Sequence, residues 1–195
     1  MAVASLNNRM EDTDLAAIGR VIAGDRNAFA LLVERHSRSV FRLAYRITGS
    51  EADAEEVVQE TFLRAYRQIH RYESRASFAT WISTIASNHA LDVLRKRKRF
   101  VAAGEDVDRT DAAPSPVRLA ESSRIGEVIE NAMNQLSLQE RTAFALRHYE
   151  GMPIESIARE LGLSENATKQ SVFRAVAKLR RVLGPWVGVF LLCII

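Results

Sequence analysis

Apolar residues recur every three or four positions along most of the chain, the spacing of one face of an α-helix. No segment shows the alternation of apolar and polar residues that is typical of a half-buried strand. In the N-terminal half the pattern predicts four helices that pack as one bundle. They run over about residues 14–23, 28–48, 53–71 with Asp53 as N-cap, and from Phe78 into a basic run at 95–99.

Residues 101–123 lack this periodicity. They are small and acidic and include Pro114 and Pro116, so they offer too little apolar surface to offset the cost of ordering the chain. Beyond them the helical pattern resumes, with a capping box formed by Ser137 and Glu140. Helices are predicted at about 124–135, 137–149 and 154–161, followed by a long helix from 165.

The predicted fold is all-α, with two small helical domains joined by a flexible linker. Its parts are an N-terminal extension (1–13), a first domain (14–100), an acidic linker (101–123), a second domain (124–184) and an apolar C-terminal tail (185–195).

The second domain contains a pattern typical of a helix-turn-helix. A short helix with Ala158 on its inner side precedes a tight turn at Gly162, and a longer polar and basic helix follows. Side chains spaced three to five positions apart share the outer face of that helix and can pair with base edges or phosphates. They are Asn166, Lys169, Gln170 and Arg174. The alternative is an ordinary two-helix unit with a solvated face.

Charge and composition agree with a partner that is a polyanion inside the cell. The formal net charge is only +3, but basic residues cluster at 95–99 and 166–181. A single cysteine, Cys193, excludes a disulfide scaffold and favours a reducing compartment. We expect no secretory signal at the N-terminus and no transmembrane helix, since no apolar run reaches ~18 residues.

Two further surfaces are predicted in the first domain. If Ala54, Val58, Phe62, Ala65 and Ile69 are buried, the other side of the third helix is an acidic surface around an exposed leucine, which suits a basic protein partner. Its residues are Glu55, Glu56, Gln59, Glu60 and Leu63. The alternative is a lone surface leucine.

A polar loop precedes the fourth helix. Its Arg75 and Ser77, with Asn88 on that helix, are candidates to line a pocket for an extruded base. Phe78 and Trp81 are expected in the core, and the alternative for them is a base-stacking platform.

Over residues 14–184 the sequence resembles the extracytoplasmic-function (ECF) sigma factors, group IV of the bacterial sigma-70 family. The resemblance rests on several motifs that occur in the family's order. They are Gly24-Asp25 with Ala28-Phe29, the stretch Asp53–Phe62, Phe78-Ala79-Thr80-Trp81-Ile82, Ile85-Ala86-Ser87-Asn88, and Val172-Phe173-Arg174-Ala175 at the end of the helix-turn-helix.

The resemblance implies a sigma region 2 domain, a linker that threads the polymerase cleft, and a sigma region 4 domain. It assigns the surface Glu55–Leu63 to core RNA polymerase. It assigns minus-ten promoter DNA to the loop and Asn88, and minus-thirty-five DNA to the recognition helix and to a phosphate contact before it. The minus-ten residues are Ser74, Arg75, Ser77 and Asn88, and the minus-thirty-five residues are Arg147, Asn166, Lys169, Gln170, Phe173 and Arg174.

The sequence departs from the family pattern at several of these positions. Ser74-Arg75 replaces the usual Gly-Asp of the loop, and Ser83-Thr84 replaces a Tyr-Arg pair. In the recognition helix, Asn166 replaces a frequent Gly and Ser171 a frequent Arg. These differences affect the promoter sequence that is read rather than the general role.

We therefore predict a cytoplasmic, non-catalytic specificity subunit with core RNA polymerase and promoter DNA as partners. An anti-sigma factor, which many family members have, is a further candidate partner. The four histidines and one cysteine show no metal-ligand spacing and there is no Gly-rich phosphate loop, so neither metal nor cofactor is expected. The alternatives are a stand-alone helix-turn-helix regulator that binds DNA without polymerase, and an adaptor that sequesters another regulator.

The resemblance does not explain the apolar tail Trp186–Ile195. As a helix, its ten residues would extend ~15 Å, about half the hydrocarbon thickness of a bilayer, so it is too short to span one. Covering apolar surface of the second domain and docking on a partner or membrane surface are the two interpretations.

Overall fold

The computed structural model describes residues 13–102 and 124–192, and every regular element in these ranges is helical. The first range contains α1 (residues 13–22), α2 (Ala28–Thr48), α3 (Glu51–Gln68), a 3₁₀ turn (Ile69–Arg71) and α4 (Phe78–Ala102). The second contains α5 (Arg124–Asn134), α6 (Leu138–His148), α7 (Ile154–Leu161) and α8 (Glu165–Leu192). The predicted all-α fold is confirmed.

The chain divides into two compact units. One holds α1, α2 and nearly all of α3 and α4, and the other holds α5 to α8. Most of the predicted N-terminal extension (1–12), most of the predicted linker (103–123) and the last three residues of the tail lie outside the described residues.

The first unit packs α1 to α4 around side chains at helical spacing. The largest fully buried apolar side chains come from α2, α3 and α4, and they include Leu32, Leu43, Ile47, Val57 and Ile82. Burial of each such side chain stabilises the fold by roughly 1.5–3 kcal/mol. Helix α2 ends before Gly49, which has φ 70°. Glycine adopts this left-handed backbone conformation at little cost because it has no side chain.

Two details of the predicted third helix are wrong. Helix α3 begins at Glu51, so Asp53 lies in its first turn rather than at the N-cap, and its carboxylate accepts a hydrogen bond from Arg97 Nη1 at 3.2 Å. Val57, not Val58, is fully buried, because Val57 shares one face with Ala54 and Thr61. In α4, Phe78 is buried as expected, whereas Trp81 is only partly buried.

The second unit has its own core. Ala132, Met133 and Leu136 at the end of α5 and beyond pack against Ala175 and Leu179 of α8. The predicted capping box at the start of α6 is confirmed: Ser137 Oγ accepts from Glu140 N, and the Glu140 carboxylate accepts from Ser137 N. Helix α8 continues to Leu192, so its backbone passes through the predicted boundary between residues 184 and 185.

Candidate nucleic-acid and polymerase interfaces

Helices α7 and α8 are joined by the tight turn that a helix-turn-helix needs. Gly162 adopts φ 64°, and Leu163 N donates to Ala158 O at 2.9 Å, which closes the end of α7. Ser164 Oγ then accepts from Ala167 N at 3.2 Å and satisfies an N–H group in the first turn of α8. These local bonds fix the angle at which α8 leaves α7.

The outward face of α8 carries most of the predicted DNA contacts. Asn166, Lys169, Gln170 and Phe173 are all exposed, and Phe173 is 74% exposed although it is a large apolar side chain. Lys169 Nζ lies 3.6 Å from Glu165 of the preceding turn, which is a weak solvent-exposed pair. This face therefore presents an amide, a cation and an aromatic ring to a partner.

Arg174 and Arg147 are placed differently from the rest of the predicted set. Arg174 is half-exposed, but its Nε donates to Glu140 Oε1 at 3.3 Å. Arg147 is exposed at the end of α6, and its Nη1 donates to the carbonyl oxygen of Met152 at 3.0 Å. Both guanidinium groups are thus oriented by bonds within the second unit, so the prediction that Arg174 simply shares the outward face is only partly correct.

On α3 the predicted acidic surface is present. Glu55, Glu56 and Gln59 are exposed, and Leu63 is 52% exposed. Glu60 is about one third exposed and accepts from Arg64 Nε at 2.6 Å, and this bond holds the pKa of Glu60 below its usual range. Glu60 is therefore a carboxylate at neutral pH.

Sequence reasoning missed Tyr66 on this helix. It is 37% exposed, and its ring lies edge-on to Phe29 with centroids 5.1 Å apart. The signal was its spacing of three from Leu63, which puts the two side chains next to each other on one helical face. Together they extend the apolar part of the acidic surface.

The ring of His89 lies behind the acidic surface, next to Glu56. Both ring nitrogens are buried without a hydrogen-bond partner among the described residues, and Nε2 is 4.0 Å from Glu56 Oε1. Burial, and to a smaller extent the charge of Arg64, lower the pKa of His89. His89 therefore adds no positive charge next to Glu56 at neutral pH.

The loop before α4 is braced from both ends. Tyr72 Oη donates to the carbonyl oxygen of Ala76 at 2.7 Å, and Ser77 Oγ accepts from Thr80 N at 3.2 Å, which caps α4. Between them Ser74 is exposed, and Arg75 pairs with Glu73 at 2.8 Å while remaining 87% exposed. The tip of the loop is thus open to a partner while its ends are fixed.

An aromatic cluster supports this loop. The Phe78 ring centroid lies 5.9 Å from that of Tyr72 and 5.6 Å from that of Trp81. Asn88 is exposed ten residues along α4 from Phe78, about 15 Å along the axis, and on the same face as Trp81. The predicted minus-ten residues therefore mark a strip along α4 that begins at the loop.

Within the described residues no group of three or more His, Cys, Asp or Glu side chains is placed to hold a metal ion. In the same part of the chain, no helix combines the length and apolar character that crossing a bilayer requires.

Two family models match the chain, in the order of its two units. The model of Sigma-70 region 2 matches residues 32–100, and the model of Sigma-70, region 4 matches residues 126–179. The first range contains α3 and the loop before α4, and the second contains the helix-turn-helix.

Proteins that are similar to this chain are themselves described as sigma factors. The chain is 36% identical to the ECF RNA polymerase sigma factor SigE of Mycolicibacterium smegmatis over 78% of this chain and 60% of that protein, so it spans less than two thirds of SigE. It is 32% identical to the ECF RNA polymerase sigma factor SigM of Mycobacterium tuberculosis, over 90% of this chain and 87% of SigM. The sigma factor RpoE of Bartonella quintana, solved in complex with the anti-sigma factor NepR, is similar with a TM-score of 0.67 and 25% identity, over 80% and 96% of the two chains.

Proposed function

Because the chain belongs to the ECF sigma factors of the sigma-70 family, we propose that it is a non-enzymatic, dissociable subunit of RNA polymerase that directs transcription initiation. It recruits core polymerase to a promoter, contributes to opening the DNA, and leaves the chemistry of RNA synthesis to the core enzyme.

The observation that carries this function is the division of surfaces between the two units. The first unit presents an acidic helix face with exposed Leu63, which suits a basic protein partner rather than DNA. The second presents a helix-turn-helix whose outer face carries Asn166, Lys169 and Gln170. A stand-alone DNA-binding regulator has no need of the first surface.

Within this function each surface has its own partner. The α3 surface (Glu55, Glu56, Gln59, Glu60 and Leu63) binds the polymerase core. The loop and Asn88 engage a single strand of the minus-ten element. Ser74 and Arg75 at the exposed tip of the loop meet the DNA, and Ser77 caps the start of α4. The outer face of α8 reads the minus-thirty-five element, with Arg147 next to a phosphate.

These partners imply a cytoplasmic location, where polymerase and chromosome are found. An anti-sigma factor is a further partner of the proposed function, by analogy with RpoE of Bartonella quintana, which is bound to the anti-sigma factor NepR. Exposed Leu63 and Tyr66 on α3 are the apolar groups that such a partner would cover in order to block polymerase.

Charge reversal on α3 tests the proposal. Glu56→Lys with Gln59→Lys places two cations on a surface that is expected to meet basic residues, so affinity for core polymerase should fall by at least tenfold through like-charge contact. The measurement is a competition titration of fluorescently labelled chain against core enzyme, with far-UV circular dichroism to establish folding.

The matched control is Asn27→Lys with Glu34→Lys, which makes the same change in charge at exposed positions before and on α2. It should bind core as the unchanged chain does. Equal core affinity of the α3 variant and this control would refute the assignment of the surface. Tight, sequence-specific binding of duplex DNA without core would favour the stand-alone regulator instead.

A further inference from the structure

A buried carboxylate joins the start of α6 to the recognition helix α8. Glu140 is only 4% exposed, and its two oxygens accept three hydrogen bonds. Ser137 N donates to Oε2 at 2.9 Å, Lys178 Nζ donates to the same oxygen at 2.6 Å, and Arg174 Nε donates to Oε1 at 3.3 Å. Burial alone would raise the pKa of Glu140, but the hydrogen bonds from Lys178 and Ser137 lower it, so the group is a carboxylate at neutral pH.

A second link between the start of α6 and α8 lies beside the bonds of Glu140. Gln139 Nε2 donates to Ser171 Oγ at 2.8 Å, and that hydroxyl donates to the Ala167 carbonyl oxygen at 2.8 Å. Ser171 and Lys178 lie two helical turns apart with Arg174 between them. The start of α6 therefore holds α8 at three successive points, which fixes both its rotation about its own axis and its position along that axis.

The rotation matters because the candidate base-reading residues occupy only one side of α8. At 100° per residue, Asn166, Lys169, Gln170 and Phe173 fall within an arc of roughly 100°. Arg174 lies about 90° from the centre of that arc, at the border between the outward face and the buried face. Its guanidinium is thus aimed at Glu140 rather than outward with the other four.

On the basis of the proposed function, we propose that Glu140 is a positioning residue for recognition of the minus-thirty-five element, which is the upstream one of the two promoter elements. It touches no DNA itself. It sets the angle of α8, and it holds Arg174 and Lys178 against the protein so that they do not bind phosphates of any sequence.

The energetics favour positioning over simple stabilisation. Removing the Glu140 carboxylate from water costs much of what its pairing with the partly exposed Arg174 and Lys178 returns, and a well-packed apolar side chain in its place is often as stable. A buried carboxylate adds direction, because its two oxygens accept from donors at set positions on the start of α6 and on α8. What the cluster contributes is therefore a unique placement of α8.

The test measures sequence preference rather than affinity alone. Holoenzyme is assembled from core polymerase and the full chain, and bound duplexes are sequenced from a promoter library randomised at both the upstream and the minus-ten elements. Glu140→Gln should lower the enrichment of preferred upstream bases by about tenfold, the size of effect that loss of charged hydrogen bonds produces. Enrichment at the minus-ten element should stay unchanged, because the first unit is intact.

The matched control is Glu155→Gln. Glu155 also forms a pair one turn away, with Arg159 at 2.8 Å, but it is exposed on α7. It should leave both enrichment profiles unchanged. If Glu140→Gln and Glu155→Gln give the same upstream profile, the proposal is overturned. If the unchanged holoenzyme enriches neither element, the proposed function itself fails, so the two failures are distinguishable.

A double-mutant cycle separates positioning from general weakening. Arg174→Ala should reduce upstream enrichment in the native background but cause no further loss in Glu140→Gln, because the bond between Arg174 and Glu140 is already weakened there. An equal effect of Arg174→Ala in both backgrounds would overturn the proposal. Should Glu140→Gln unfold the second unit, Lys178→Gln replaces it, since this change leaves the carboxylate with two donors. Upstream enrichment should then fall several-fold, and a profile equal to that of Glu155→Gln would again overturn the proposal.

Discussion

Asp14 should be one of the most important polar residues for the stability of the first unit. Its carboxylate is 3% exposed and accepts from Arg35 Nη1 at 2.9 Å, while its other oxygen lies 2.8 Å from His36 Nε2. His36 is itself 2% exposed, so the pair joins α1 to the middle of the bundle without access to water. The perturbation that tests this is Asp14→Asn, which keeps the shape and removes the charge.

The size of the effect follows from the two contacts. Removing one partner of a buried ion pair costs ~3–5 kcal/mol, which is the upper limit for this site. The asparagine oxygen still accepts one hydrogen bond, and Arg35, whose side chain is 30% exposed, can turn toward solvent. We therefore expect a loss of ~2 kcal/mol, close to the value of a single hydrogen bond to a charged group. For a unit of this size that lowers the Tm by about 10 °C.

The assay is urea unfolding of the full chain in a Trp186→Phe background, so that Trp81 is the only tryptophan and its fluorescence reports on the first unit.

The dependence of stability on pH gives a second measurement. Burial would raise the pKa of Asp14, but hydrogen bonds from His36 and Arg35 outweigh it and lower the pKa. The Asp14 carboxylate therefore contributes its full stabilisation above the pKa of the unfolded chain, about 3.9. This stabilisation is lost as the pH falls through the pKa of the folded protein.

Asparagine does not titrate, so the difference in stability between the native chain and Asp14→Asn should be largest near pH 7 and should narrow near pH 3. Asp92→Asn is the control, since Asp92 pairs with Arg95 at 3.3 Å in an exposed position on α4. It should have no measurable effect at either pH. A difference for Asp14→Asn that is below ~0.5 kcal/mol, or one that does not change with pH, would refute the reasoning.

Two further predictions concern promoter DNA. Asn88→Ala should impair strand opening while leaving closed-complex formation intact, and normal permanganate reactivity of the minus-ten region with weakened closed complexes would contradict this. Lys169→Ala should weaken upstream recognition by ~1–3 kcal/mol at one base pair if the cation pairs with a base, or flatten the salt dependence if it pairs with a phosphate. An unchanged base preference together with an unchanged salt slope would exclude Lys169 from the interface.

The parts of the fold that could be predicted from sequence are those that local bonds determine. The Ser137–Glu140 capping box and the glycine turn at Gly162 involve residues within five positions of one another, so their residue types predict the geometry directly. The helix-turn-helix and the exposed Leu63 follow from such local patterns and from helical periodicity.

What could not be predicted depends on pairing between distant residues. The sequence predicts only a capping-box role for Glu140. Its bonds to Arg174 and Lys178 join residues that are 34 and 38 positions away in the chain. Asp14 and His36 are 22 positions apart and on different helices. Periodicity also leaves the phase of a helix uncertain by one residue when adjacent positions are both valine, which is why Val57 rather than Val58 is the core residue of α3.

Both units place a buried carboxylate behind a candidate DNA-binding surface instead of on it. In the first, Asp14 fixes His36, whose ring centroid is 5.2 Å from that of Phe78, and Phe78 supports the loop through Tyr72.

In the second unit, Glu140 holds the inner side of α8, while Asn166, Lys169 and Gln170 remain exposed on the outer side. Substitutions on an exposed face usually change stability by less than ~0.5 kcal/mol. Residues that read DNA can therefore change, and with them the promoter, at little cost to the fold. Substitution of Glu140 is instead expected to alter the placement of the residues in front of it, and substitution of Asp14 to destabilise the unit that carries the loop.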